Sequence, residues 1–415
     1  MVTKRSEIHK KFFMNKNKLQ IRQSIKKQNA FYDIEKIVSE IDEMTAEEIE
    51  RIYKDNYSAA VKNATATMNS VSSSTGWKAF KRLTKYGKKL GQVLSIAEDP
   101  ITGSILTGDD LNKALLDKYT IEKPSNQTCT PVFPDDYLID EEQAFNIGKR
   151  LARLKALSHD CLPDNTFQPC RPCRQADKAV CSECLNKVRR LQDLFRRTFW
   201  EQPASLWHLR CRLIALKKTS DRVPTVNLCR YIVVTSPVIK ALELSLYDDL
   251  LKNSSSYLDF SQHGFLPGHN TRHNLIDVIS QASMNFKNGY ALFIDFRTAF
   301  DAAPRHLIYQ LIRKYKILNE KQLNLLEFIH GNLSIKLGYH ETKTYTGVPQ
   351  GLITSPILFN LILDNLVKYL KDCNTFTSSF ADDMLSLANS INGIIATIKR
   401  VASWSQQTGI QINSD

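Results

Sequence analysis

The sequence lacks any apolar run that approaches the roughly 18 residues needed for a membrane-spanning helix. It also lacks the basic, apolar and small-residue succession of a signal peptide at its start. We therefore expect an intracellular protein with no membrane partner. Acidic residues are the minority charge, because 43 Asp and Glu stand against 56 Lys and Arg and leave a formal net charge of +13. This excess favours a polyanionic partner, but charge alone does not separate nucleic acid from an acidic membrane surface.

Cysteine is also scarce, and its count of nine is odd. In a long intracellular chain, that argues against a disulfide framework and favours free thiols or a metal site. Two Cys-x-x-Cys pairs lie seven residues apart and have the ligand types of one closed, structural zinc site: Cys170, Cys173, Cys181 and Cys184. The alternative is four unpaired thiols.

Basic side chains are dense in two places. Residues 1–30 contain nine Lys and Arg and a single acid, Glu7, which is typical of a phosphate-binding arm, a nuclear address or a solvated helix. A second set flanks the cysteine pairs: Arg171, Arg174, Lys178, Lys187, Arg189, Arg190, Arg196 and Arg197. It indicates either a surface that faces phosphates or an ordinary solvated face.

An acidic pair, Asp382-Asp383, lies at the tip of a predicted hairpin formed by residues 375–387. Two like charges ~4 Å apart repel by about 4 kcal/mol at an effective dielectric near 20, and a divalent cation would reverse that cost. A solvated turn is the alternative for such a pair taken alone. The apolar run 291–294 ends in a third acid, Asp295, which predicts a buried strand with a ligand at its end. Asp295, Asp382 and Asp383 together have the composition of a site for two-metal nucleotidyl transfer.

Three further stretches offer contacts for a nucleotide. Predicted strands 213–218 and 228–234 would bring Lys217 or Lys218 near Arg230, as a clamp for a triphosphate or as plain surface charge. The ring of Phe300 could exclude a ribose 2′-hydroxyl, although core packing is the ordinary role of a Phe.

The third stretch is the loop Gly347-Val348-Pro349-Gln350-Gly351. Its glycines permit close approach of another chain, and Gln350 could then bond to template or nucleotide edges. A simple connector is the alternative. Ser355 is the predicted N-cap of the helix that follows.

Three motifs occur in a defined order: Phe-Ile-Asp-Phe-Arg-Thr-Ala-Phe-Asp at 293–301, Gly-Val-Pro-Gln-Gly at 347–351 and Phe-Ala-Asp-Asp at 380–383. With them, residues 206–415 resemble the fingers and palm of a non-LTR (LINE-like) retrotransposon reverse transcriptase, and group II intron maturases are the next closest family. Residues 155–160 resemble the family's Lys-Ala-x-Gly-x-Asp motif, with Ser158 in place of the glycine. Phe380 stands where the family often has Tyr, and Arg230 departs from its usual Arg-Pro-Ile context.

The resemblance implies an α+β right-hand polymerase that copies RNA into DNA with two Mg²⁺ ions. Its palm would be a ferredoxin-like antiparallel sheet with packed helices. Its partners would be an RNA template, a DNA primer or target DNA, and dNTPs. The metal contacts would be Asp295, the Phe296 carbonyl, Asp382 and Asp383. The implied nucleotide contacts are Lys217, Lys218, Arg230, Phe296, Phe300, Gln350 and Gly351.

We expect five regions: a basic and mostly helical 1–76, a linker 77–136, a lead-in segment with the zinc knuckle 137–205, fingers 206–290 and palm 291–415. The family continues into a thumb, and we find neither a thumb nor an endonuclease motif in the sequence. We therefore expect a piece of a longer protein or a truncated copy, acting in the nucleus. The alternative function is a catalytically inactive remnant that still binds nucleic acid.

Overall fold

The computed structural model describes residues 93–413 except 120–130, 136, 152–161, 163–165, 176–179, 219–222, 227, 287 and 372–374. The predictions for the basic region 1–76, the linker residues 77–92 and 120–130, the motif at 155–160 and the turn at 219–222 fall outside these described residues.

The first described part is a small antiparallel hairpin followed by helices. Its elements are β1 (Ile96–Glu98), β2 (Ile105–Thr107), α1 (Gly108–Tyr119), α2 (Glu141–Leu151), α3 (Arg171–Gln175), α4 (Ser182–Asp193) and α5 (Arg197–Trp200). A 3-10 helix, Pro203–Leu209, then leads into the sheets.

The second part alternates strands with helices. Its elements are β3 (Arg210–Lys217), β4 (Cys229–Val234), α6 (Pro237–Tyr257), α7 (Thr271–Met284), β5 (Tyr290–Ile294), α8 (Ala299–Ala302), α9 (Arg305–Lys314), α10 (Glu320–Asn332), β6 (Ser334–Leu337), β7 (His340–Lys343), α11 (Ser355–Leu370), β8 (Thr375–Phe380), β9 (Asp383–Ala388) and α12 (Ile391–Thr408). The expected α+β class is confirmed, with the two larger sheets formed here.

One of these sheets has four strands in the order β4-β3-β6-β7. The predicted hairpin is present, with β3 antiparallel to β4 and Lys217 opposite Cys229. β6 joins β3 in parallel, with Ser334 opposite Arg210. Residues 334–343, which the sequence division assigns to the palm, thus extend the sheet of the expected fingers. The two strands have four residues each and are mostly polar, so they show no clear strand pattern in the sequence.

The other sheet is antiparallel, has the order β5-β9-β8 and carries the acidic pair. Helices α11 and α12 pack against its strands and each other. α11 is apolar around most of its circumference, so its core-facing residues include Leu358, Phe359, Leu361 and Leu363 with no exposed surface. This buried helix fixes the loop before it and the hairpin after it. Across the described residues, no helix combines the length and apolar character needed to cross a bilayer.

Candidate active site

The strand register brings the three predicted carboxylates to one sheet edge. Ile294, the last residue of β5, pairs with Met384 of β9. The next residues along these antiparallel strands are Asp295 and Asp383, which therefore face each other. Asp382 lies in the turn between β8 and β9, because Phe380 already pairs with Asp383.

Residues 261–264 contact the turn that carries Asp382 and stabilise it. The amides of Ser379 and His263 donate to the carbonyls of Ser261 and Ser379, at 3.0 and 2.9 Å. A Cβ at Gly264 would lie 2.2 Å from the Ala381 nitrogen, so only glycine permits this approach. Ala381 itself has a positive φ of 57°. The acidic tip is therefore held by backbone contacts with residues 261–264.

The three acids also act on one another electrostatically. Partial burial raises the pKa of Asp383, and the negative charges of Asp382 and then Asp295 raise it further. Ionising all three without a counter-charge is thus unfavourable, and a cation at this edge would relieve the repulsion. Carboxylate oxygens are the donors that Mg²⁺ prefers, so the donor set fits the predicted ions.

Neighbouring hydrogen bonds fix the Asp295 carboxylate. Its Oδ1 accepts the Phe296 amide at 2.9 Å, and its Oδ2 accepts Asn413 Nδ2 at 2.8 Å. Phe296 forms an antiparallel bridge with Ile412. The backbone hydrogen bonds of this bridge are made by the residues on either side of the pair, and Phe296 itself makes none of them. The Phe296 carbonyl therefore points away from residues 411–413, as the predicted metal contact requires. The sequence predictions did not include Asn413.

The Gln350 loop is anchored at its start by a buried arginine. Arg305 Nε donates to the Gly347 carbonyl at 2.7 Å, and Nη1 donates to the carbonyls of His330 and Thr344, each at 2.9 Å. Its Nη2 donates to Thr344 Oγ1 at 2.9 Å. Arg305 is only 6% exposed. It therefore joins the start of α9 to both the loop and the end of α10.

A buried glutamate anchors the other end of the loop. The Glu243 carboxylate accepts the amides of Ile353 and Thr354 at 3.0 Å each and the Thr354 hydroxyl at 2.7 Å. Burial raises the pKa of Glu243, and these hydrogen bonds act in the opposite direction. The prediction of Ser355 as N-cap is wrong: Thr354 holds that position, and Ser355 Oγ donates to the Pro349 carbonyl. The distant Glu243 thus satisfies the N-cap amide of α11 and the amide before it.

The loop glycines make their close approaches within the chain. A Cβ at Gly351 would lie 1.9 Å from the Val233 carbonyl oxygen, and one at Gly347 would lie 2.3 Å from the Asp301 carbonyl oxygen. The Val233 amide also donates to the Gln350 carbonyl at 2.7 Å. At both glycines the missing Cβ therefore permits close contact with the protein's own backbone. The half-buried Gln350 is fixed against β4.

The predicted cations occupy opposite faces of the β3–β4 hairpin. Arg230 pairs with Leu216, whereas Lys217 pairs with Cys229 on the buried face and is only 8% exposed. Lys218 follows on the Arg230 side, and both residues are exposed. Of the two predicted lysines, Lys218 thus shares a side with Arg230.

The Phe300 ring is part of the core. It stacks on Phe359 with ring centroids 4.3 Å apart and meets Phe265 edge to face at 6.2 Å. Its residual exposure is 8%, so packing fixes its position.

The four predicted zinc ligands converge. All distances between their sulfur atoms are at most 4.8 Å, for Cys170, Cys173, Cys181 and Cys184. The amides of Cys170 and Cys181 donate to the sulfurs of Cys184 and Cys173, at 3.2 and 3.4 Å. A hydrogen bond from the Cys184 amide is the main reason that the pKa of Cys181 falls to about 7. The arrangement therefore fits a tetrahedral four-thiolate ion site. Within the described part of the chain, no other set of three or more such ligands meets so closely, so the aspartates span a wider space.

The region that carries these aspartates is similar to known proteins. Residues 216–415 match the family described as "Reverse transcriptase (RNA-dependent DNA polymerase)". The chain is 28% identical over 171 residues to the "Retrovirus-related Pol polyprotein from type-1 retrotransposable element R2" of Nasonia vitripennis, which covers 37% of this chain and 17% of that protein. It is 30% identical over 203 residues to the type-2 element R2DM polyprotein of Drosophila melanogaster, covering 45% and 19% respectively.

A third relative is the "Putative COX1/OXI3 intron 2 protein" of Saccharomyces cerevisiae, which is 29% identical over 173 residues, covering 41% of this chain and 18% of that protein. The resemblance to non-LTR retrotransposon proteins, with an intron protein next, is confirmed. The aligned parts span about a fifth of the length of these relatives.

Proposed function

Because residues 216–415 match the family described as "Reverse transcriptase (RNA-dependent DNA polymerase)", we propose that this chain carries the polymerase of a non-LTR retrotransposon. It would add dNTPs to the 3′-hydroxyl of a DNA primer or nicked target DNA on an RNA template. The observation that carries the proposal is the strand register that sets Asp295 opposite Asp383 and beside Asp382.

Asp295, Asp382, Asp383 and the Phe296 carbonyl would hold two Mg²⁺ ions. Bound there, the ions would lower the pKa of the attacking hydroxyl and stabilise charge on the leaving pyrophosphate. The chain's own contribution is to hold the carboxylates in position at an open sheet edge. Asp295 and Asp383 are exposed, so a primer end and a triphosphate have access to them.

The nucleotide would lie between this edge and the β3–β4 hairpin. Lys218 and Arg230 would bind its triphosphate, while the buried Lys217 would support the hairpin beneath them. The ring of Phe300 would exclude a 2′-hydroxyl. Gln350 and Gly351 would contact the nucleotide or template from a loop that Arg305 and Glu243 hold rigid.

The regions follow the expected division with one extension. Residues 206–290 together with 334–343 would form the fingers, because their strands share one sheet. The rest of 291–415 would form a ferredoxin-like palm. Residues 1–76, 77–136 and 137–205 would form the basic region, linker and lead-in segment, the last with one structural Zn²⁺. Copying into chromosomal DNA would place the protein in the nucleus.

A primer-extension assay tests the function. The chain is given an RNA template, a DNA primer and dNTPs with Mg²⁺, beside Asp382→Asn and the control Asp117→Asn, an exposed acid on α1. Losing a metal-binding carboxylate removes several kcal/mol of charge stabilisation, so Asp382→Asn should slow synthesis at least about 100-fold. Asp117→Asn should match the unmodified chain.

RNA binding is measured by fluorescence anisotropy on the same preparations. Binding by all three proteins with synthesis by none of them would instead support the inactive remnant. Equal synthesis by Asp382→Asn and the unmodified chain would contradict the proposed site.

A further inference from the structure

Residues 411–413 form a short strand segment against the chain that carries Asp295. The Arg297 amide donates to the Gln411 carbonyl at 2.9 Å, and the Asn413 amide donates to the Asp295 carbonyl at 2.8 Å. Between these bonds, Phe296 bridges Ile412. The backbone around Asp295 is therefore fixed on the side opposite β9.

The side chains in this segment form a relay of hydrogen bonds. Arg297 Nε donates to Asn413 Oδ1 at 3.2 Å, and Asn413 Nδ2 donates to Asp295 Oδ2 at 2.8 Å. A guanidinium can only donate, so the amide oxygen must face Arg297 and the amide nitrogen must face the carboxylate. The donor and acceptor roles of its two partners thus fix the orientation of the Asn413 amide.

We propose that Asn413 is a positioning residue for Asp295 and that Arg297 sets the orientation of its amide. The inference rests on the proposed function of Asp295 as a metal ligand. A carboxylate turns easily about its last side-chain bond, whose torsion is broad. Here the Phe296 amide holds one oxygen and Asn413 the other. The remaining lone pairs are thereby kept available toward Asp383.

A neutral donor suits this position better than a cation would. A lysine or arginine bonded directly to Asp295 would neutralise part of its charge and compete with a metal ion. The Asn413 amide restrains the Asp295 carboxylate without cancelling its charge. The Arg297 guanidinium bonds to Asn413, so its positive charge lies one residue further from the carboxylate. Residues that hydrogen-bond to a metal ligand and orient it typically have this arrangement. Replacing such a residue commonly lowers metal affinity by about 10- to 100-fold.

The test measures ion binding without turnover. Mn²⁺ bound to the chain is counted by electron paramagnetic resonance, with an RNA template, a dideoxy-terminated primer and the next dNTP present. Asn413→Ala should weaken Mn²⁺ binding by about 10- to 100-fold. Arg297→Ala should weaken it less, and the double variant should be no weaker than Asn413→Ala, because both substitutions break one relay.

A matched control separates positioning from stability. Asn253 Nδ2 donates to the Ile317 carbonyl at 2.8 Å, which is an equally short bond that joins α6 to the segment after α9. Asn253→Ala should lower the melting temperature but leave the Mn²⁺ affinity unchanged. If Asn413→Ala does not fold, the Arg297→Ala measurement decides alone.

Two failures can be told apart. If the unmodified chain binds Mn²⁺ no better than Asp382→Asn does, the proposed function fails, and the inference fails with it. If the unmodified chain binds Mn²⁺ through Asp382 but Asn413→Ala, or Arg297→Ala in its place, binds equally well, only the positioning role is overturned.

Discussion

Arg305 and Gly347 are joined by a hydrogen bond of 2.7 Å between a buried guanidinium nitrogen and a loop carbonyl. Among the described residues, this guanidinium bonds to carbonyls and one hydroxyl and to no carboxylate. Burial lowers the pKa of Arg305, so its charge is costly and the cost is offset by these bonds. With Glu243 at the other end, two buried ionisable side chains hold the loop that carries Gln350.

Replacing Arg305 tests that description. Arg305→Leu leaves the carbonyls of Gly347, His330 and Thr344 without this donor, and each unsatisfied buried group costs about 1–3 kcal/mol. We expect the free energy of unfolding to fall by roughly 3–5 kcal/mol. Urea denaturation followed by circular dichroism measures it, with the exposed Arg189→Leu as control. Equal midpoints for both variants would contradict the anchoring role.

Asp301 should make stability depend on pH. Burial raises its pKa to about 7, while the Lys218 charge acts in the opposite direction. In the unfolded chain the pKa of Asp301 is about 4. Between pH values of about 4 and 7, the folded state therefore holds a proton that the unfolded state releases. This contribution to stability is complete below pH ~4 and is lost as the pH rises through about 7.

The variant Asp301→Asn removes that titration. Relative to the unmodified chain, its stability should rise with pH by on the order of 3 kcal/mol between pH ~4 and ~7.5. Urea unfolding at several pH values gives the difference, in which the other titrating groups cancel. Parallel pH curves for the two proteins would refute the assignment.

Gly351 should tolerate no side chain. Its φ is +128°, and a Cβ would lie 1.9 Å from the Val233 carbonyl oxygen. Gly351→Ala must therefore displace the loop from β4 as well as strain the backbone. Gly409→Ala is the control, because Gly409 also has a positive φ, +79°, but open space around it.

For Gly409→Ala, backbone strain should lower the free energy of unfolding by about 1 kcal/mol. For Gly351→Ala, the free energy of unfolding should fall clearly more. Thermal unfolding measures both, and the steric account is wrong if their losses are equal.

The cysteine cluster should bind one zinc ion per chain. Metal analysis of the purified chain should return about one zinc, and Cys181→Ser should reduce it strongly because four thiolates share the ion. Cys211→Ser changes a buried cysteine outside the cluster and should leave the metal content unchanged. Absence of zinc from the unmodified chain would remove the structural ion from the account.

The parts predictable from sequence were those with strong local patterns. The apolar run before Asp295 and the hairpin around Asp382-Asp383 are such patterns, and the register of β5 with β9 follows once both strands pair. Strands at 334–343 escaped prediction because they are short and largely polar. The N-cap was misplaced because the group that satisfies the start of α11 is Glu243, 110 residues earlier than Ile353.

Long-range polar contacts account for most of what the sequence did not show. Nothing near Arg305 indicates that its acceptors are the carbonyls of residues 330, 344 and 347. Likewise, Asn413 lies 118 residues from Asp295, and no periodicity links the two. Such contacts depend on the assembled fold, so only the structure identifies the residues that support the predicted acids.

The central claim is that three aspartates share a pair of divalent ions. The most direct test is a crystal structure of the chain with an RNA template, a dideoxy-terminated primer, the next dNTP and Mn²⁺, in which anomalous scattering locates the ions. We predict two peaks at the sheet edge, with oxygens of Asp295 and of the Asp382-Asp383 pair as ligands. A bound nucleotide with no peak there, or with peaks that none of the three carboxylates contacts, would contradict the account.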